Sequence, residues 1–398
     1  MKLIPWLGLL LLLVGCGPAN PISKQMEKPK STEERLNELA NKSVAYLEHV
    51  PVQAAGFPRA GTPEGAVEKT TSRSWTSGFY PGMLWQLYRH SKDERLLAAA
   101  RQWTSLEEKE KHDTHTHDLG FKIFCSFGEG LEVEPSEPYR QVIVEASETL
   151  IKRYNPTVGA IRSWDFNADV WEFPVIIDNM MNLEMLFAAT RISGDSSFAK
   201  VARQHALTTL EHHFRPNYSS YHVIDYDTLT GEVRNRHTHQ GKAHESAWAR
   251  GQAWALYGFA MCYEETGEPV FLEQARNIAE FFFNHPNLPA DNIPFWDFDA
   301  TGPDAPRDVS AATIAASALL ALYNSDPGQR DKYLAWVDPI MDSLLLPEYQ
   351  SDVAPFLLDH STGSKPGNSE VDVPIIYADY YYIEALLRLK DIEQTLTR

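Results

Sequence analysis

Apolar residues recur at helical spacing along almost the whole chain, and no segment beyond residue 30 alternates over enough positions to build a substantial sheet. That periodicity predicts twelve helices. Ser31-Thr32-Glu33-Glu34 has the form of a capping box and opens the first, which reaches about Glu48. The others fall near 77–91, 93–110, 118–131, 136–153, 178–193, 195–214, 245–266, 269–285, 308–324, 328–344 and 374–391. Short turns such as Ser91-Lys92-Asp93, Ser193-Gly194-Asp195 and Thr266-Gly267-Glu268 join them in pairs. Six consecutive helical hairpins give an all-α fold, an (α/α)6 barrel. The even-numbered helices are the more apolar: Ala311 to Leu322 reads AATIAASALLAL, which leaves little room for a solvated face, so they would form the inner ring. A helical solenoid would show a repeated consensus at a fixed period, and none is present.

Two stretches break the helical pattern, 155–175 and 215–244, and loops of this length in a helical barrel usually wall a binding cleft. Within the second, Ser220 to Val233 alternates well enough for a short hairpin turning near Asp227 to Gly231.

At the start of the chain, Lys2 precedes an apolar run from Leu3 to Val14. It is shorter than the ~20 residues of a membrane-spanning helix and reads as a signal peptide over 1–15. The run ends in Leu13-Val14-Gly15-Cys16, which resembles the lipobox of bacterial lipoproteins. That resemblance implies a lipid on Cys16, a tether over 16–30, one domain over 31–398, and a place in the bacterial cell envelope, periplasmic or outer-membrane associated. The lipid would be the only attachment to the membrane. Cys125 and Cys262 then remain, both in apolar helical surroundings, and read as core rather than as a disulfide framework. With 36 Lys+Arg against 54 Asp+Glu, the net charge of -18 argues against a nucleic-acid partner. An anionic ligand would have to be attracted locally, against the overall field.

The residues hardest to explain as core sit at or near the starts of the inner helices: Trp75, Asp118, Asp178, Glu245 with Arg250, Asp308 and Asp372. In a barrel of alternating antiparallel helices all these starts lie at one end, where helix dipoles and unpaired N–H groups favour an anion. Any single Asp there could be an ordinary helix cap. It is the convergence with Trp75, His222, Arg250 and Trp254 that points to a site.

The stretches SWTSGFYPGMLW (Ser74 to Trp85), HDLGF (His117 to Phe121), IDNMMNLEML (Ile177 to Leu186) and ESAWARGQAW (Glu245 to Trp254) resemble motifs of the unsaturated glucuronyl hydrolases, glycoside hydrolase family 88. DVSAATIAASALL (Asp308 to Leu320) and DYYYIEALLR (Asp379 to Arg388) are similar too, in the family's order. The resemblance implies that Asp178 is the general acid and then base, with Asp118 its carboxylate partner. It implies substrate-binding roles for Trp75, His222, Gln240, Arg250 and Trp254. The substrate would be an unsaturated uronate-containing oligosaccharide, and no cofactor or metal is implied. His244-Glu245 departs from the pattern, since relatives often carry two acidic residues there; this bears on substrate preference.

The family's reaction is a hydration: a proton goes to C4 of a C4=C5 double bond, water adds at C5, the hemiketal opens and the leaving sugar departs. Protonating carbon near neutral pH needs a carboxyl with a raised pKa, which a second carboxylate and burial supply. Helix dipoles oppose this, so the proton-holding member should be the more buried, and the resemblance makes it Asp178. Arg250 and Trp254 lie one turn apart, a sensible pair for a carboxylate and a ring. A buried ion pair of Arg250 is the alternative.

His112, His115 and His117, and His237, His239 and His244, invite a metal reading, but no ligand spacing among them is distinctive. Rival readings are an unsaturated rhamnogalacturonyl hydrolase, an inverting hydrolase of saturated glycosides and a non-catalytic glycan-binding lipoprotein. The last has no need of both Asp118 and Asp178. Ser364, Lys365 and Asn368 occupy a polar loop before the last helix that could meet a sulfate or carboxylate on the next sugar.

Overall fold

The computed structural model describes residues 30–397. The expected signal peptide, the lipidation position Cys16 and the tether up to residue 29 lie outside the described residues. The chain from Thr32 onward forms one unit. Its helices are α1 (Thr32–Tyr46), α2 (Phe79–Ser91), α3 (Glu94–Ser105) and α4 (Glu129–Val133), the last entered through a π-helical stretch, Gly120–Gly128. Then follow α5 (Glu137–Ile151), α6 (Leu183–Ser193, entered through a 3-10 turn, Ile177–Asn182), α7 (Ser196–His212) and α8 (Ala249–Thr266). The chain ends with α9 (Pro269–Phe283), α10 (Val309–Ser325), α11 (Arg330–Ser343) and α12 (Ile376–Leu396).

The even-numbered helices close a ring: α2 meets the π-helical stretch, which meets α6; α6 meets α8, α8 meets α10, α10 meets α12, and α12 returns to α2. The odd-numbered helices pack outside it. This is the (α/α)6 barrel. Every residue of α10 from Val309 to Tyr323 is buried, as its lack of a polar face requires. Each fully buried Ile or Leu there contributes about 1.5–3 kcal/mol.

The turns leaving α2, α6 and α8 share one chemistry: Lys92, Gly194 and Gly267 each take the left-handed conformation that ends a helix. Asp93 and Asp195 then cap α3 and α7 by accepting from the amides of Arg95 and Ser197. These connections are tight, so all the long segments run into the starts of the inner helices, at the opposite end of the barrel.

Those segments carry short strands: β1 (Phe57–Gly61), β2 (Val67–Thr70), β3 (Tyr154–Asn155), β4 (Ala160–Ile161), β5 (Pro174–Ile176), β6 (Val223–Tyr226), β7 (Val233–His237), β8 (Ser361–Ser364) and β9 (Ser369–Val373). The hairpin expected within 220–233 is β6–β7, and β5 joins it to make a three-stranded antiparallel sheet. The sheet is covered on both faces: Val175, Ile224 and Tyr226 pack with Phe173, while Ile176 and Val223 pack with Trp171 on the other side.

Two elements differ from the sequence expectation. The stretch expected as an ordinary helix over 118–131 is π-wound from Gly120 through Gly128, and in its first turn, where amides have no partner within the helix, the Phe121 amide donates to Asn182 Oδ1 at 3.2 Å. Gly120 lies against Asn182 so closely that a Cβ would sit 2.6 Å from its Cα. The loop before α12 is the β8–β9 hairpin, hidden in the sequence because β8 is only Ser, Thr and Gly and the alternation in β9 is limited to Val371 and Val373.

Candidate active site

At the end of the barrel where the long segments gather lies a cleft of about 510 Å3. Trp75 and Phe121 form its floor with Tyr377 behind them, ring centroids 5.4 and 5.0 Å from Trp75. Asp118 and Asp178 both line it, as do Trp164, Phe166, His239 and Gln240. A second cavity, of about 270 Å3, is lined by Glu129, Glu184 and Arg388 and by Arg89 and Arg191 near the C-terminal ends of α2 and α6, and shares no lining residue with the cleft.

Asp178 stands on the 3-10 turn, directly after β5. The turn is pinned because Ile176 N donates to Ser163 Oγ at 2.9 Å and Ile177 N to His222 O at 3.0 Å. The carboxyl is buried, and burial above all raises its pKa from 3.8 to about 7; Arg250 pulls it down, the Asp118 charge pushes it up, and the Trp254 indole lowers it again. That indole faces the carboxyl, and neither its N–H nor Asp178 Oδ2 completes a hydrogen bond. Asp118 is the more open of the two. Its Oδ2 accepts from Thr116 Oγ1 at 2.7 Å, and its Oδ1 lies 3.2 Å from His117 Nε2.

His222, just before β6, is buried with Nε2 3.7 Å from Asp178 Oδ2. Its Nδ1 accepts from the amides of His239 and Gln240, both at 3.1 Å. An Nδ1 that accepts cannot carry the proton, so the hydrogen is assigned to Nε2, facing the carboxyl. Burial, reinforced by His239 and Arg250, holds the His222 pKa well below 6.5, so the ring is neutral at pH 7.

Gln240 lines the cleft and donates from Nε2 to Gly363 O at 3.0 Å. Trp254 is fully buried behind Phe121, centroids 5.2 Å apart, with only its N–H directed at the acid. Arg250 takes the alternative arrangement, the buried ion pair. It is 1 % exposed, pairs with Asp308 at 3.1 Å, donates to Thr362 O and Gly363 O, and lies under Trp248 and Tyr377. Its guanidinium therefore holds β8 against α10 and is not a cleft wall; only the Nε lacks a partner. Of the other residues at inner-helix starts, Asp308 is consumed in that pair. Asp372 pairs with His360 at 2.7 Å, and Glu245 pairs with Arg215 at 3.3 Å, both away from the cleft lining.

Ser364 reaches the cleft from the end of β8, while Lys365 and Asn368 sit exposed on the hairpin turn. Trp164 and Phe166 are the two aromatic cleft residues that sequence reasoning passed over. Their rings stack at 4.6 Å, and Phe166 is 47 % exposed at the mouth. The signal was the Trp164-Asp165-Phe166 string in an otherwise irregular stretch, which has no reason to carry two large rings unless something covers them. Among the described residues no three His, Cys, Asp or Glu gather as metal ligands. The thiols of Cys125 and Cys262 are free, and burial pushes both pKa values well up.

Comparison with known proteins places this geometry. The family model described as Glycosyl Hydrolase Family 88 matches residues 54–295. A protein named unsaturated glucuronyl hydrolase from Formosa agariphila is 48% identical, covering 97% of each chain. An unsaturated chondroitin disaccharide hydrolase from Streptococcus pyogenes serotype M1 is 31% identical over 83% of this chain and 85% of its own. The crystal structure of an unsaturated glucuronyl hydrolase specific for heparin superposes with a TM-score of 0.87 at 43% identity, covering 91% of this chain and 98% of that one. These matches favour none of the rival readings, and they agree with the motifs and the barrel: the chain belongs to Glycosyl Hydrolase Family 88.

Proposed function

We propose that the protein removes a 4,5-unsaturated glucuronic acid from the nonreducing end of a lyase-generated oligosaccharide, glycosaminoglycan-type or similar, by hydrating the C4=C5 double bond. The observation that carries this reading is Asp178: a buried carboxyl that holds its proton up to about pH 7, in a cleft floored by aromatic rings and shared with a second, more open carboxylate. Asp178 gives its proton to C4, and the developing positive charge at C5 is shared with the ring oxygen. The carboxylate so formed then accepts a proton from the water that adds to C5, which restores the acid. The hemiketal at C5 opens and releases the leaving sugar. One water is consumed and no proton is lost.

Asp118 supplies negative charge beside the cationic transition state and raises the neighbouring acid. The neutral His222 offers Nε2–H to Asp178 or to a sugar hydroxyl without competing for the proton. Trp75 and Phe121 receive the flat unsaturated ring, and Gln240 hydrogen-bonds it. The lining holds no lysine or arginine among the described residues, so neutral donors and the helix N-termini meet the uronate carboxylate. Arg250 contributes from behind the wall, through the position of β8 and its charge.

The test follows the ultraviolet absorbance of the conjugated double bond with a panel of unsaturated disaccharides of the heparin and chondroitin types, sulfated and unsulfated. Wild type removes the absorbance of at least one, and Asp178→Asn removes none, since a general acid–base group contributes about 10²–10⁴-fold. Turnover of every member by the variant would overturn the assignment of Asp178. The same panel, run with Lys365→Ala, reports whether the β8–β9 turn reads sulfation.

The envelope location belongs to this proposal as well. The Leu13-Val14-Gly15-Cys16 sequence supports a lipid anchor on Cys16. Cys16→Ser would release the protein from the membrane fraction and abolish labelling with a fatty-acid probe; unchanged fractionation and labelling would exclude it.

A further inference from the structure

The stretch from Asp113 to Asp118 is held in a way that no local sequence pattern announces. It is closed into a ring by a buried lysine. Lys122 is fully buried on the π-helical stretch, and an ammonium ion is expensive to bury unless opposite charges surround it. Its Nζ donates to Asp113 Oδ2 at 2.7 Å and lies 3.6 Å from Glu110 Oε2. Its own backbone amide donates to Asp118 O at 3.0 Å. Asp113 uses its other oxygen to accept from the His115 amide at 3.0 Å. The segment from Asp113 to Lys122, with Asp118 and its partner Thr116 inside it, is thus tied at both ends by one side chain.

The second carboxylate extends the tie to the other side of the cleft. Glu110 Oε1 accepts from Ser72 Oγ at 2.6 Å, and Ser77 Oγ lies 3.0 Å from Ser72 O and 3.1 Å from Glu107 Oε2. Ser72 and Ser77 bracket Trp75. A continuous buried network therefore runs from the loop carrying the cleft's floor ring, through Lys122, to the loop carrying Asp118. We infer that Lys122 is a positioning residue, whose buried charge sets the place of Asp118 relative to Trp75 and to the acid across the cleft. This rests on the proposed reaction for its kinetic readout, but its structural readout is independent of it.

The test compares wild type with Lys122→Met, with Asp113→Asn, and with the triple variant Lys122→Met/Glu110→Gln/Asp113→Asn, which removes the lysine together with the two carboxylates it pairs with. Amide hydrogen exchange is read over 72–77 and 113–118, with 223–237 as the internal control. Turnover of an unsaturated disaccharide is read beside it, the wild type reporting on the reaction itself. Expected are faster exchange in both site segments and not in the control, and a kcat lowered about 10- to 100-fold with KM changed less than about threefold, the range a misplaced group produces. The triple variant should regain thermal stability without regaining kcat, which a merely structural lysine would not do. Asp113→Asn keeps the bond to His115 and should fold where Lys122→Met does not, with an intermediate loss. Wild-type kcat in the triple variant, or unchanged exchange in folded Lys122→Met or Asp113→Asn, would overturn the inference. Failure of wild type to turn over substrate would count against the reaction alone, and the exchange data would still decide the role of Lys122.

Discussion

Holding a proton on Asp178 near neutral pH has a consequence for stability that Asp178→Asn exposes. The folded protein binds that proton up to about pH 7, against 3.8 for an unperturbed aspartate. A pKa raised on folding contributes stability that is complete below pH 3.8 and lost as pH rises through 7. Each unit is worth about 1.36 kcal/mol, so a shift of roughly three units amounts to about 4 kcal/mol, nearly all of it lost between pH 4 and 8. The carboxyl is buried, so solvent screening does not erase the effect. The amide that Asp178→Asn puts in its place does not titrate. Denaturant unfolding of wild type and variant at pH 4, 6 and 8 should show the variant gaining on wild type by about 4 kcal/mol over that range. Glu184 and Asp379 also have raised pKa values, about 8 and about 7, but they titrate in both proteins and cancel in the difference. A difference that stays constant within about 0.5 kcal/mol would refute the reasoning, because the acid could not then be held protonated by burial.

Two further outcomes follow from the same geometry. Because the acid must be protonated to attack C4, kcat/KM should fall tenfold per pH unit above about pH 7; a rate still level at pH 9, measured by loss of the conjugated absorbance, would remove Asp178 from that role. Arg250→Met leaves Asp308 buried without its cation, and should lower stability by about 3–5 kcal/mol in denaturant unfolding at pH 7. If Arg250 instead only touched substrate, the variant would keep its stability and lose affinity.

The parts of the site that were legible in the chain are those where one residue's chemistry conflicts with its helical surroundings. Asp118 and Asp178 at the starts of inner helices had no place in an apolar core, and so were visible. Trp254, by contrast, could be read as facing the ligand or the core, and the structure gives it both: a buried ring with its N–H turned to the acid. Arg250 illustrates the limit. A charged residue one helical turn from an aromatic looks like a carboxylate clamp, but its partner Asp308 and the carbonyls of Thr362 and Gly363 come from distant segments that no local pattern announces. The same is true of Lys122, buried against Asp113 and Glu110, partners that no local pattern announces.

The sequence by itself determined the barrel and the end at which its site lies, because helical periodicity, inner-helix apolarity and tight left-handed turns are local properties that each segment carries alone. Only the tertiary structure decided which carboxyl holds the proton, which tautomer His222 adopts and which cations reach the cleft. Those depend on desolvation and on partners brought together from segments far apart in the chain, and neither has a local signature.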